Sequence, residues 1–140
     1  MSKRSKKGAA SGPFVMHTRE MFMSPAWRVL SLSARRLLDR IEIEMMSHGG
    51  PRSNGRLPVT HSDFIKYGVR RNSIAAALRE VVVLGFLEIT VQGRGGNAAY
   101  RKASQFRLTY HQFKEDRDGE VLYEPTNEWR RFDTVSDLAM

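Results

Sequence analysis

The stretch of residues 60–110 holds the pattern that most constrains the fold. Apolar residues recur there first at helical spacing on both sides of Gly68, and then at alternate positions in two segments joined by a glycine-rich loop. Spacings of three and four residues are typical of helices that bury one face, whereas alternation is typical of half-buried strands. The stretch therefore predicts two short helices separated by a tight turn and followed by a β-hairpin.

The first of these helices has a clear start signal. Thr60 is followed three residues later by Asp63, an arrangement that caps a helix and places an acid at its positive end. The helix is predicted for residues 61–67 and should bury Phe64 and Ile65. The glycine that follows can adopt the positive φ that a tight turn needs.

The second helix has two unlike faces. Its inward positions, spaced by three and four residues, are Ile74, Ala77, Leu78 and Val81. Asn72, Ala76 and Arg79 project roughly the opposite way. Val82 and Val83 leave the end of the helix apolar almost all round, which predicts that it packs against the C-terminal segment or against a second subunit.

The hairpin is predicted to have strands at 86–91 and 105–110, each with alternating apolar residues. Its loop, 93–102, combines glycines with three cations: Arg94, Arg101 and Lys102. A loop of this kind can approach a phosphate backbone or enter a minor groove. The alternative is an exposed loop whose basic residues favour solubility.

A longer helix is predicted before this stretch, from Ala34 to Met46. Its buried face comprises Ala34, Leu37, Leu38, Ile41 and Met45. Arg35, Asp39 and Glu42 are placed on the other side.

Three segments, 68–74 (GVRRNSI), 77–80 (ALRE) and 84–87 (LGFL), together resemble the winged helix-turn-helix domain of bacterial DNA-binding regulators. In that family a turn glycine and an apolar residue precede the recognition helix, which ends in a Leu-Gly-apolar-apolar step into the first wing strand. The resemblance covers about residues 32–110. It implies an α+β fold, in which a three-helix core carries a β-hairpin wing. The arrangement is also similar to winged-helix modules of plasmid replication initiators and of small proteins on mobile elements.

Charge is distributed unevenly along the chain. Lysine and arginine number 23 against 15 acidic residues, a net charge of +8, and residues 52–102 hold nine of the basic residues against three acids. Such an excess favours a polyanionic partner, with nucleic acid ahead of an anionic membrane. Residues 1–12 are predicted to be a disordered basic arm, either a solvated tail or a phosphate contact. Residues 13–110 form the predicted winged helix-turn-helix domain, and 111–140 a C-terminal extension.

The resemblance implies a recognition helix at 71–84 that enters the major groove of DNA. Candidate base contacts are Arg71, Asn72, Ser73, Ala76 and Arg79. Arginine pairs bidentately with guanine, asparagine pairs with adenine, and a methyl group can touch thymine. Candidate backbone and wing contacts are Thr60, His61, Arg70, Arg94, Asn97, Arg101 and Lys102. The alternative is a solvated basic helix face, since arginine and alanine form helices in any context.

No catalytic set is legible in the sequence. The four histidines, none of which has a ligand spacing to another, are His17, His48, His61 and His111. They are scattered along the chain, and each is interpreted as a surface or turn residue. Glu42 and Glu44 are interpreted as surface carboxylates. The chain has no cysteine, which excludes disulfides and thiolate metal sites and agrees with a reducing cytoplasm. Its apolar runs are too short to cross a membrane. We therefore expect a cytoplasmic protein that is not an enzyme and has no metal, cofactor or small-molecule ligand.

The sequence thus predicts a protein that binds double-stranded DNA, as a single chain or as a homodimer. It would act as a transcription regulator or as an accessory factor in the replication or transfer of a mobile element. The alternative is a protein-interaction module of a larger complex, with a contact surface formed by Ile43, Val82, Val83 and Trp129. RNA binding is less favoured, because aromatic residues are not grouped for base stacking.

Overall fold

In the computed structural model, which describes residues 12–95, 102–114 and 121–132, the chain has an α+β fold. The helices within these ranges are α1 (Arg19–Met23), α2 (Pro25–Arg28), α3 (Leu32–Ser47), α4 (His61–Tyr67) and α5 (Ile74–Val83). The strands are β1 (Leu57–Pro58), β2 (Leu87–Val91) and β3 (Gln105–Leu108). None of these helices combines the length and the apolar character that crossing a membrane requires. The predicted basic arm lies, except for Gly12, outside the described residues.

Helix α3 is the centre of the helical layer and packs against both α4 and α5. Its buried apolar side chains are the five that the sequence spacing predicts, from Ala34 to Met45. Ser31 caps its start, because the serine hydroxyl accepts a hydrogen bond from the backbone N–H of Ala34 at 3.1 Å. The prediction was wrong for Glu42, which is buried on the core side of the helix.

The three strands form an antiparallel sheet in the order β1-β3-β2, so β3 is central. Leu57 of β1 pairs with Phe106, and Leu87 and Ile89 of β2 pair with Leu108 and Phe106. Strand β2 alternates as predicted, because its odd-numbered side chains face the core and its even-numbered ones are exposed. The sheet packs against the helices through one continuous apolar core.

Strand β3 does not alternate as predicted, because both of its faces are covered. Arg107 and Thr109 are buried although their positions predict exposure. Arg107 donates from Nη1 to Thr126 Oγ1 at 2.9 Å, and the backbone N–H of Asn127 donates to the carbonyl of Thr109 at 3.0 Å. The described part of the C-terminal extension therefore covers the second face of the sheet at Thr126. Trp129, which is 3% exposed, stacks on Phe86 of the main core.

A buried asparagine joins the loop before β1 to the end of β3. Asn54 is 1% exposed. Its Oδ1 accepts a hydrogen bond from the N–H of Leu108 at 2.7 Å, and its Nδ2 donates to the carbonyls of Leu108 and Gln112 at 2.9 and 3.0 Å. Its side-chain amide therefore satisfies backbone groups of a strand 54 residues away, which no local pattern in the sequence predicts.

Candidate nucleic-acid interface

Helices α4 and α5 are joined by a tight turn of the kind that Gly68 predicts. Gly68 has a φ of +113°, which is unstrained only for glycine. The N–H of Val69 donates to the carbonyl of Phe64 at 2.9 Å, and the Val69 side chain is buried between the helices and the core. A short 3₁₀ turn at Arg71–Ser73 then leads into α5. Phe64 is buried as predicted, but Ile65 is exposed because α4 packs through one narrow side.

The predicted cap of α4 is present in full. The side chain of Thr60 accepts a hydrogen bond from the N–H of Asp63 at 3.1 Å, and the carboxylate of Asp63 accepts one from the N–H of Thr60 at 2.9 Å. The backbone hydrogen bond from Thr60 is the main reason that the pKa of Asp63 lies below its usual value. This reciprocal pair fixes the direction in which α4 begins.

Thr60→Ala is expected to lower the free energy of unfolding by about 1 kcal/mol, because the N–H of Asp63 loses its acceptor. Ser62→Ala is the matched control, since Ser62 is exposed within the same helical turn and its loss should change stability by no more than about 0.5 kcal/mol. Urea unfolding followed by circular dichroism measures both. Equal losses in the two variants would contradict the role of the cap.

The outward face of α5 is slim, polar at its start and free of acid. Asn72, Ala76 and Arg79 are exposed, while Ile74 and Val81 are buried on the opposite face. The single acid of this helix turns away from the outward face. Glu80 instead accepts hydrogen bonds from the N–H and hydroxyl of Ser31 at 2.7 and 2.9 Å, so its negative charge is used at the start of α3. The outward face therefore keeps its positive charge.

The arginines of the described residues fall into two groups. Members of the first group contact acids or carbonyls: Arg36 with Gly68 O, Arg40 with Glu44, Arg107 with Glu88, and Arg130 with Glu20. Those of the second group are exposed and form neither an ion pair nor a hydrogen bond to a carbonyl among the described residues: Arg19, Arg28, Arg70, Arg71 and Arg79. Arg19 and Arg28 lie on α1 and α2, whereas Arg70, Arg71 and Arg79, which the sequence proposes as DNA contacts, lie at the start of α5 or on its outward face.

The hairpin continues beyond β2 and β3 toward its loop. Arg94 and Lys102 pair across it, with N–H to carbonyl distances of 2.8 and 2.9 Å in the two directions. Gly93 lies so close to the other side that an added Cβ would stand 2.5 Å from the backbone nitrogen of Ser104. Arg94 and Lys102 are exposed and directly opposite each other, which concentrates positive charge at this end. The predicted contacts Asn97 and Arg101 lie outside the described residues.

The remaining predicted contacts are also at the surface. Thr60 and His61 are exposed at the start of α4, and Ser73 is half-buried beside the 3₁₀ turn. The surface expected for protein interaction is only partly present: Val83 is 63% exposed and Ile43 is 36% exposed. Val82 packs against the core and Trp129 is buried, so neither is available as a contact. The described C-terminal segment reaches the end of the helix through Arg131, whose Nη2 donates to the carbonyl of Val83, while the Val83 side chain stays exposed.

A polar cluster that the sequence did not predict lies behind the helices. Glu42 accepts hydrogen bonds from Nε2 of His17 at 2.8 Å and from the hydroxyl of Tyr110 at 2.8 Å. His111 lies in the same cluster. One of its ring nitrogens is within 4.8 Å of a carboxylate oxygen of Glu42 and of a ring nitrogen of His17. The interpretation of Glu42 as a surface carboxylate was wrong. One signal could have revealed it, since residue 42 stands at helical spacing from the buried Leu38 and Met45.

Burial changes the pKa values of His111 and Tyr110. It lowers the pKa of His111 to about 4, against a smaller raising effect of Glu42, so the imidazole is neutral at pH 7. Burial, followed by the charge of Glu42, raises the pKa of Tyr110, so its hydroxyl remains a donor. The view of the four histidines as scattered surface or turn residues was therefore wrong for His17 and His111.

Comparison with known proteins found no matching protein-family model, no matching curated protein and no matching solved structure.

Proposed function

We propose that this protein has a winged helix-turn-helix fold and binds double-stranded DNA, with α5 in the major groove and the β2–β3 hairpin on the phosphate backbone or in the minor groove. One observation carries the proposal. Arg70, Arg71 and Arg79 form no ion pair among the described residues and lie at the start of α5 or on its outward face, and the one acid of this helix, Glu80, is bonded to Ser31 instead. Exposed cations gathered around the start of a slim helix suit a polyanion with a groove.

The outward face of α5 has the residue types that base recognition requires. Ala76 and Arg79 lie on the exposed face of α5, and Asn72 is exposed in the 3₁₀ turn that leads into this helix. Asparagine suits adenine, arginine suits guanine, and the small side chain of Ala76 lets the helix approach the bases. Arg70 and Arg71, just before the helix, would contact phosphates or the first base pair.

The hairpin would supply contacts that do not depend on sequence. Arg94 and Lys102 stand opposite each other near its loop, where two cations can hold one phosphate backbone. Each such contact releases condensed counterions, so binding should weaken steeply with salt. In the cell the protein would act as a transcription regulator or as an accessory factor of a mobile element, and a homodimer would bind a palindromic site.

Salt dependence of binding to a labelled duplex tests the proposal. The logarithmic slope of affinity against salt should be on the order of −4 to −6, for about five to seven phosphate contacts. Lys102→Ala should reduce the slope by about one and weaken binding to all sequences alike. Arg79→Ala should cost about 10- to 100-fold at a site selected from random duplexes and should relax the base preference there.

Arg130→Ala is the matched control, because it removes one exposed cation that is paired with Glu20 at 2.9 Å. It should leave both the slope and the base preference unchanged. Absence of duplex binding even at low salt would exclude the proposal, as would equal effects of Arg79→Ala and Arg130→Ala. In the protein-interaction alternative, which the exposure of Val83 favours, Val83→Glu would abolish partner capture while the hairpin variant would not.

A further inference from the structure

Three side chains from distant parts of the chain meet on the side of α3 that contacts the end of the sheet. His17 precedes α1, Glu42 lies in the middle of α3, and His111 follows β3. One nitrogen from each histidine and one carboxylate oxygen all lie within 4.8 Å of one another. Two atoms bonded to one zinc ion at about 2.0–2.1 Å each can stand up to about 4 Å apart. Shifts of less than about 1 Å would therefore bring these atoms into ligand distance.

One ring nitrogen of His111 makes no hydrogen bond to the described residues. This atom, Nε2, is buried. The other such atom in these ranges, Nε of Arg35, belongs to a guanidinium that stacks on Trp27 at 4.4 Å. The His111 ring contacts the ring of Tyr110 at a centroid distance of 4.6 Å, but that contact gives Nε2 no hydrogen bond. A buried ring nitrogen that makes no hydrogen bond and lies beside a carboxylate is suited to bind a metal ion.

We propose that His17, Glu42 and His111 bind one divalent transition-metal ion of the zinc class. Two imidazoles and one carboxylate match the preferences of zinc and its neighbours, whereas magnesium and calcium prefer oxygen alone. The ion would replace the hydrogen that now lies between Nε2 of His17 and Oε1 of Glu42, which are 2.8 Å apart. Three protein ligands leave a fourth position for water or another group.

The surroundings of Glu42 are those of an oriented metal ligand. The hydroxyl of Tyr110 donates to Oε2 of Glu42 at 2.8 Å, which fixes the carboxylate and directs Oε1 toward His17. The ring of His17 is held by edge contacts with Phe22, Trp27 and Tyr110 at centroid distances of 5.2 to 5.7 Å. The ligands are thus positioned before any ion arrives.

An ion at this site would join three parts of the molecule. It would link the segment before α1 to α3 and to the residues that lead from β3 into the C-terminal extension. Because the ion binds the folded chain, it should also raise the unfolding temperature. This site is independent of the proposed DNA contacts, which lie on α4, α5 and the hairpin.

Titration of the full chain, without a histidine tag and after removal of metal by a chelator, tests the site. Zinc should bind with a stoichiometry of one by calorimetry and raise the unfolding temperature, and cobalt should give a visible absorption band of nitrogen and oxygen ligation. His111→Ala should weaken zinc binding by more than about 100-fold, because loss of a supporting contact alone costs about 10- to 100-fold. His48→Ala, which removes an exposed histidine next to Glu44, should bind zinc as the unchanged protein does.

Tyr110→Phe keeps the aromatic ring and removes the hydroxyl that orients Glu42. It should fold normally and bind zinc about 10-fold more weakly, which keeps the test decisive if His111→Ala does not fold. The proposal is overturned if the unchanged protein takes up no zinc at micromolar concentration. It is equally overturned if a folded His111→Ala binds as tightly as His48→Ala, or if Tyr110→Phe leaves the affinity unaltered.

Discussion

Gly85→Ala is expected to lower the free energy of unfolding by about 3–5 kcal/mol, from backbone strain and overpacking together. Gly85 connects α5 to β2 with a φ of +87°, a conformation that side chains with a Cβ rarely adopt. A Cβ at this position would also stand 2.5 Å from the backbone nitrogen of Trp129 and 2.6 Å from the carbonyl carbon of Glu128. Because these are backbone atoms, no rotation of a side chain can relieve the contact, and the segment 128–131 must move away.

Gly55→Ala is the matched control for this substitution. Gly55 has a φ of +109°, but an added Cβ would meet no atom of the described residues within 4 Å. Gly55→Ala should therefore lower the free energy of unfolding only through backbone strain, by about 1–2 kcal/mol. Urea unfolding measured by circular dichroism gives both values, and tryptophan fluorescence reports displacement of Trp129. If the two variants lose the same stability, the packing of residues 128–131 on this connection contributes nothing.

Asn54→Ala is expected to lower the free energy of unfolding by about 3–5 kcal/mol, because three backbone groups lose a partner at once. The N–H and carbonyl of Leu108 are buried, and the carbonyl of Gln112 is partly buried. Each buried group left without a hydrogen bond costs about 1–3 kcal/mol, reduced where water can enter the space left by the amide.

Asn72→Ala provides the comparison for Asn54, since it removes the same side chain from an exposed position. Its effect on stability should be within about 0.5 kcal/mol. Denaturant unfolding at neutral pH measures both variants. A loss below 1 kcal/mol for Asn54→Ala would show that the end of β3 is held by other contacts.

Local patterns were sufficient for several elements of the fold. Thr60 and Asp63 predicted the start of α4, Gly68 predicted the turn, and alternation predicted β2. Each of these signals depends on residues within a few positions of one another, so the sequence contains all that is needed to recognise it. The exposure of Arg70, Arg71 and Arg79 could be predicted for the same reason. The DNA contacts assigned to them remain predictions.

Glu42 shows where residue type misleads. Carboxylates are rarely buried unless they are paired. For that reason Glu42 was predicted to be exposed, although it stands at helical spacing from the buried Leu38 and Met45. The partners that make its burial acceptable, His17 and Tyr110, lie 25 and 68 residues away. No periodicity connects residues at such separations.

The sequence by itself determined α3, α4, α5, β2 and β3, and which apolar side chains of α3, α5 and β2 face the core, but its pattern did not predict α1. The tertiary structure alone decided that both faces of β3 are covered, that Trp129 is buried, and that Glu80 turns toward Ser31. It also decided that His17 and His111 meet at Glu42. The physical reason is that a hydrophobic pattern reports the burial of one face of one element, whereas pairing between distant side chains depends on how the chain returns on itself.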